Sequence, residues 1–156
     1  MNKYEKLLDV AERENIVVFE NYDLSDTRFK GLYYDGNIAI SKDIETTSER
    51  SCILHEELGH HYTTVGNILD QSKAENRKQE RRARLWAYKR AFDLIDLISA
   101  CKYGCRNRYE IAEYLDVTEE FLQEALDTYK EKYGIYRKVD NYIVYFEPLG
   151  VLEIYE

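Results

Sequence analysis

At 156 residues, with 44% hydrophobic and 33% charged side chains, the chain is long enough for one domain with a packed core and too apolar for intrinsic disorder. No apolar run approaches the roughly 20 residues of a membrane span, and a net charge of −8 weighs against dedicated nucleic-acid binding. Three cysteines, Cys52, Cys101 and Cys105, fit neither a disulfide framework nor a zinc ribbon, which points to free thiols in a reducing cytosol and a cytoplasmic protein.

The first residues lead into an amphipathic segment rather than a secretory h-region. Residues 2–15 carry Leu7, Leu8, Val10 and Ala11 at helical spacing. Residues 16–19, Ile-Val-Val-Phe, read as a short strand. Residues 29–34 and 37–41 flank Asp35-Gly36, a hairpin turn of positive φ, and Ile38 and Ile40 mark the core face of the second strand. Thr46 with Glu49 reads as a capping box that opens a helix over about 47–63, buried through Cys52, Ile53, Leu54 and Leu58. Residues 63–72 read as a linker with Gly66 and Asn67. A long helix over about 73–100 is expected to break near Phe92, with Tyr103-Gly104 closing it. Helices over about 107–115 and 118–133 follow, the second capped by Thr118 and stopped by Gly134. Residues 142–146 and 151–155, joined through Pro148, read as a C-terminal hairpin.

Charge is uneven along the chain. Residues 73–90 hold eight bases and two acids, Glu75 and Glu80, whereas residues 110–156 hold 12 acids and four bases. A basic helix and an acidic tail read first as solvated faces.

All three histidines, His55, His60 and His61, lie within residues 48–62. Two zinc-binding histidines on a helix stand at i and i+4, because about 400° of rotation returns both to one face. His55 and His60 are five apart, so their directions diverge by about 140° at 3.6 residues per turn. The residue four before His60 is Glu56. The sequence Glu56-Glu57-Leu58-Gly59-His60 is therefore an HExxH whose first histidine is glutamate. Glu56 and His60 supply two ligands of a three-ligand catalytic site, and Glu57 stands on the adjacent edge as general base. Gly59 costs roughly 1 kcal/mol relative to alanine inside a helix; close approach of another element would explain it. The candidate third ligand is Glu80, which shares a face with Ala83 and Ala87 at i, i+3 and i+7. Small alanines there would let the two helices lie close.

Glu80-x-x-Ala83-x-x-Trp86-Ala87, downstream of a helix ending Glu-Leu-Gly-His-His, resembles the ImmA/IrrE metallopeptidases. The resemblance covers residues 29–92 well and the C-terminal part loosely. It implies an α+β fold in one domain, residues 1–156. A zincin-like core (residues 1–92) would join a small antiparallel sheet to an active-site helix and a ligand helix. Residues 93–156 would add helices and a C-terminal β-hairpin. It also implies a zinc-dependent endopeptidase that cleaves or otherwise inactivates a helix-turn-helix repressor in a phage or mobile-element switch. By position, Glu57 is the catalytic base, and Glu56, His60 and Glu80 are the metal ligands. Glu56 stands where the family has histidine. Two carboxylates and one imidazole cancel the charge of a divalent ion, so bound water is less acidified and the preference for zinc over manganese or iron relaxes.

Blander readings stand beside these. Glu56, Glu57 and His60 also suit a hydrogen-bonded surface cluster. His55 reads as structural or as a rim residue, and His61 as a partner of Glu57 or a lining of the substrate groove. Cys52 reads as a buried thiol and Trp86 as core. Residues 110–122 resemble a helix-turn-helix through Ala112, Leu115, Val117 and Leu122. Glu119 and Glu120 at the start of its second helix repel phosphate, so a packing unit is the better reading and direct nucleic-acid binding is not expected. Two other functions remain in view: a non-catalytic antirepressor on the same fold, and a DNA-binding regulator.

Overall fold

A computed structural model describes residues 1–63 and 73–155 of the chain. It divides into two compact units, Met1–Ala87 and Tyr88–Glu156. The expected linker lies outside the described residues from Thr64 to Ser72.

The first unit opens with α1 (Lys3–Arg13), whose first turn is closed by Asn2 Oδ1 accepting from Glu5 N at 2.8 Å. Tyr4, Leu7 and Ala11 are its buried residues, one stripe at helical spacing. Three strands follow: β1 (Val17–Tyr22), β2 (Gly31–Tyr34) and β3 (Asn37–Ser41). The β2–β3 hairpin forms as read, with Asp35 at φ 46° and Gly36 at φ 80°. The sheet is mixed rather than antiparallel. Its order is β1-β3-β2, and β1 runs parallel to β3. The reason is the excursion over residues 23–30. It carries the chain from the β1 edge to the β2 edge, so β3 returns into the centre in the direction of β1.

Ile38 and Ile40 are fully buried on the face of β3 that meets α2 (Thr47–Thr63), where Leu54 and Leu58 are fully buried in turn. Thr46 Oγ1 accepts from Glu49 N at 3.2 Å, the first half of the expected capping box. The Glu49 carboxylate also lies 2.8 Å from Lys30 Nζ, tying the start of α2 to the residue before β2.

Helix α3 (Ala74–Ala91) crosses the division between the units. The break near Phe92 has a definite cause. Asp93 caps α4 (Leu94–Tyr103) in a reciprocal box with Asp96, which stops one helix and starts the next. Gly104, at φ 116°, ends α4.

In the second unit, α5 (Arg108–Leu115) and α6 (Glu119–Tyr133) are capped by Asn107 and Thr118. Ala112, Leu115, Val117 and Leu122 are all buried, so the helix-turn-helix-like stretch spends its apolar positions on packing. The C-terminal hairpin is instead a three-stranded antiparallel sheet of β4 (Tyr136–Val139), β5 (Tyr142–Phe146) and β6 (Leu149–Glu153). The first strand escapes a sequence reading because Tyr136, Arg137 and Lys138 are all exposed, leaving no buried alternation to see. Strand β6 also begins two residues earlier than expected, so the β5–β6 turn shortens to Glu147-Pro148. Among the described residues, no helix is long and apolar enough to cross a membrane.

Leu54 sits at the centre of the first core with no exposure. Leu54→Ala should lower unfolding free energy by roughly 2–5 kcal/mol, read as a shift of the urea midpoint; a smaller loss would show that the sheet–helix contact collapses around the vacancy.

Candidate functional site

Helix α2 shows different side chains to α3 and to β2. Toward α3 it offers Gly59 and His60. A Cβ placed on Gly59 would lie 2.3 Å from the Ala83 carbonyl oxygen, so the helix backbone here abuts the neighbouring main chain. Ala83 and Ala87 are both buried, as close packing on that face requires. The contact brings His60 Nε2 to 3.1 Å from Glu80 Oε2. Arg84, one turn further along α3, holds the other oxygen of Glu80 through Nε at 3.2 Å.

Toward β2 the helix offers Glu57, which is 9% exposed. Gly31 is its neighbour in the strand. A Cβ at Gly31 would fall 2.5 Å from Ile53 Cγ2 and 3.2 Å from Glu57 Oε1, so a side chain there would displace Ile53 and crowd the carboxyl. Burial pushes the Glu57 carboxyl up to about 7. The nearby His60 opposes that rise, while the charges of Glu56 and Glu80 add to it. Burial on its own would lower His60, yet the hydrogen bond with Glu80 and the surrounding carboxylates raise it above the usual imidazole value. Burial would raise Glu80, but His60 and Arg84 together hold it below the ordinary carboxylate range. The groups therefore exchange charge as one coupled set.

Glu56 is half-buried, and its charge acts on both Glu57 and His60. His60 and Glu80 suit a shared cation, since their 3.1 Å separation is close to the edge of about 3.3 Å between two donors of one tetrahedral zinc ion. The donor chemistry of Glu56, His60 and Glu80 also fits, as two carboxylates and an imidazole balance a divalent charge. The three are not gathered, however: among the described residues, no group of three or more histidine, cysteine, aspartate or glutamate side chains is arranged to hold a metal ion.

The remaining histidines separate. His55 takes the structural of its two expected places. It is 3% exposed, and its Nδ1 lies 2.7 Å from the Ser51 carbonyl oxygen one turn back. His61 faces the hairpin instead, with Nδ1 at 2.8 Å from the Tyr33 hydroxyl. Tyr62 stacks on Trp86 at 5.1 Å between ring centroids, and Trp86 packs on the core from its edge. Cys52 is buried.

Sequence reasoning passed over Gly31, Tyr33 and Arg84. Tyr33 and Gly31 share the inward face of β2 by alternation, and Arg84 stands four residues after Glu80. Those spacings were visible, but nothing in one sequence says which face of β2 meets α2.

No protein-family model, curated protein or solved structure matches the chain.

Two substitutions probe this geometry. Alanine for glycine in an open helix gains about 1 kcal/mol. Gly59→Ala should instead destabilise, by roughly 1–3 kcal/mol, because the Ala83 backbone cannot yield; urea unfolding reads the sign. Glu57 binds its proton more tightly folded, up to about 7 against an ordinary 4.5. Its contribution to stability is thus complete below about 4.5 and is lost as pH rises to about 7. In chelator-treated protein, Glu57→Gln should raise the melting temperature by several degrees at pH 8 and change it little at pH 4. An equal shift at both values would refute the buried-carboxyl account.

Proposed function

We propose that the chain is a metal-dependent endopeptidase, zinc being the expected ion, and that its substrate is a helix-turn-helix repressor in a phage or mobile-element switch. The observation that carries this reading is the adjacency of a buried carboxyl, Glu57, to the His60–Glu80 pair at 3.1 Å on a helix whose sequence is an altered HExxH. The resemblance to ImmA/IrrE peptidases supplies the substrate class, and zincin-like is the finer description of the fold that goes with it.

In this reading His60, Glu80 and Glu56 would hold the ion. When bound, a divalent metal polarises the scissile carbonyl and makes water more acidic. Glu57 takes a proton from the attacking water onto a carboxylate oxygen. It then hands that proton to the leaving amine nitrogen, so the carboxylate is regenerated at the end of each turnover. Burial between β2 and α2 makes it a stronger base than an exposed carboxylate. Arg84 keeps one oxygen of Glu80 occupied, which leaves the other directed at His60.

One finding favours a second reading, a non-catalytic antirepressor that binds its partner without chemistry: the absence, among the described residues, of three gathered donors. A DNA-binding role draws less support, since α6 begins with Glu119 and Glu120 and the apolar positions of the helical pair are buried.

Metal analysis and repressor cleavage separate the readings. Purified wild type should carry one ion per chain. Glu57→Gln should keep the ion and lose roughly 10²–10⁴-fold in cleavage rate, whereas Glu56→Ala should lose the ion and His55→Ala should retain it. Full cleavage by Glu57→Gln would sink the mechanism, and a metal-free wild type that still binds repressor would establish the antirepressor.

A further inference from the structure

Glu57 and His61 stand four residues apart on α2 and so share one face. Strand β2 meets that face at matching intervals. Gly31 lies against Glu57 and Tyr33 against His61. Two residues of strand cover about 6.8 Å and four residues of helix about 6 Å, so the two contacts keep step.

The Tyr33–His61 contact is oriented from behind. Gly36 N, in the hairpin turn, donates to the Tyr33 hydroxyl oxygen at 3.1 Å. A hydroxyl that already accepts a backbone hydrogen bond is polarised toward giving up its own proton. The hydroxyl lies 2.8 Å from His61 Nδ1; when it donates there, the imidazole proton resides on Nε2. The ring plane is set by edge contacts with Tyr33, at 5.4 Å and 78°, and with Tyr62, at 4.9 Å and 85°. His61 is half-buried, so the ring is neither sealed in the core nor free in solvent. An imidazole fixed at one nitrogen, one helical turn beyond a general base, has a single oriented donor left.

We infer that His61 donates through Nε2–H to the carbonyl oxygen of the scissile peptide, with Tyr33 as the residue that positions it; the inference rests on the endopeptidase reading. As water adds to the carbonyl carbon, negative charge gathers on that oxygen and the hydrogen bond strengthens. No proton leaves His61, and the transfer from water to amine stays with Glu57. His61 is a catalytic residue in this scheme, and Tyr33 acts only through it.

The test uses the full chain and has two readouts. Long-range ¹H–¹⁵N correlation spectra of the imidazoles should show His61 protonated at Nε2, and Tyr33→Phe should turn that signal into a mixture of tautomers. A proton on Nδ1, or a tautomer indifferent to Tyr33→Phe, overturns the inference whatever the enzyme does. Cleavage of fluorescein-labelled casein by zinc-loaded protein supplies the second readout. His61→Ala should lose roughly 10²–10³-fold in kcat with KM and bound zinc nearly unchanged, His61→Gln should recover part of the loss, and Tyr33→Phe should lose about tenfold. Full kcat in His61→Ala while Glu57→Gln is inactive removes His61 from the mechanism and leaves the endopeptidase standing. A zinc-loaded wild type that cleaves neither casein nor repressor overturns both.

Discussion

The close approach of two helix backbones at Gly59 and Ala83 is the constraint on which the candidate site depends. Helix α3 buries few apolar side chains of its own before the division between the units. Its surface is mostly Arg and Lys, and the residues it buries before the division are Asn76, Gln79, Ala83 and Ala87. Such a helix offers little apolar area beyond two alanines and Trp86, which stacks on Tyr62 at the edge of the core. It docks because glycine on one side and alanine on the other bring main chain against main chain, where dispersion contacts are dense. Only at that range does a short glutamate side chain from α3 reach the imidazole of α2. A larger residue at position 59 would part the two without altering any polar group.

The electrostatics follow from that geometry. The charges of three carboxylates, Glu56, Glu57 and Glu80, act on one imidazole, and their mutual repulsion has two outlets in the metal-free protein. His60 gains proton affinity, and Glu57, the most buried of the three, keeps its own proton toward neutrality. Glu80 is spared because Arg84 and His60 hold its two oxygens. Charge is thus sorted by burial and by partner: the carboxylate with two cationic neighbours ionises readily and the one enclosed by strand and helix does not.

Much of this was legible before any coordinates. The hairpin at Asp35-Gly36, the helix 47–63, the cap Thr118 and the break at Phe92 all declare themselves through turn chemistry and capping, which are local. The separation of His55 from His60 was legible too. Counting four residues back from His60 separates Glu56 from His55, and His55 does turn into the core, onto Ser51. What stayed hidden is what depends on pairing at a distance. The parallel partnership of β1 and β3 depends on where an irregular excursion comes down, and excursions carry no periodicity. Strand β4 shows three exposed residues, so it has no apolar rhythm to read. The contacts of Gly31 and Tyr33 required knowing which side of a short strand meets the helix, and a four-residue strand with leucine and tyrosines on alternating sides does not say.

Three histidines within seven residues of α2 enter three different surroundings: His55 the core, His60 the neighbouring helix and His61 the hairpin. A helix used on three sides at once cannot slip. Inserting or deleting one residue upstream of His55 would turn each ring by about 100° in one sense or the other, taking His60 away from Glu80 and His61 away from Tyr33. Sequence change along this helix is therefore confined to exchange of one side chain for another at fixed length.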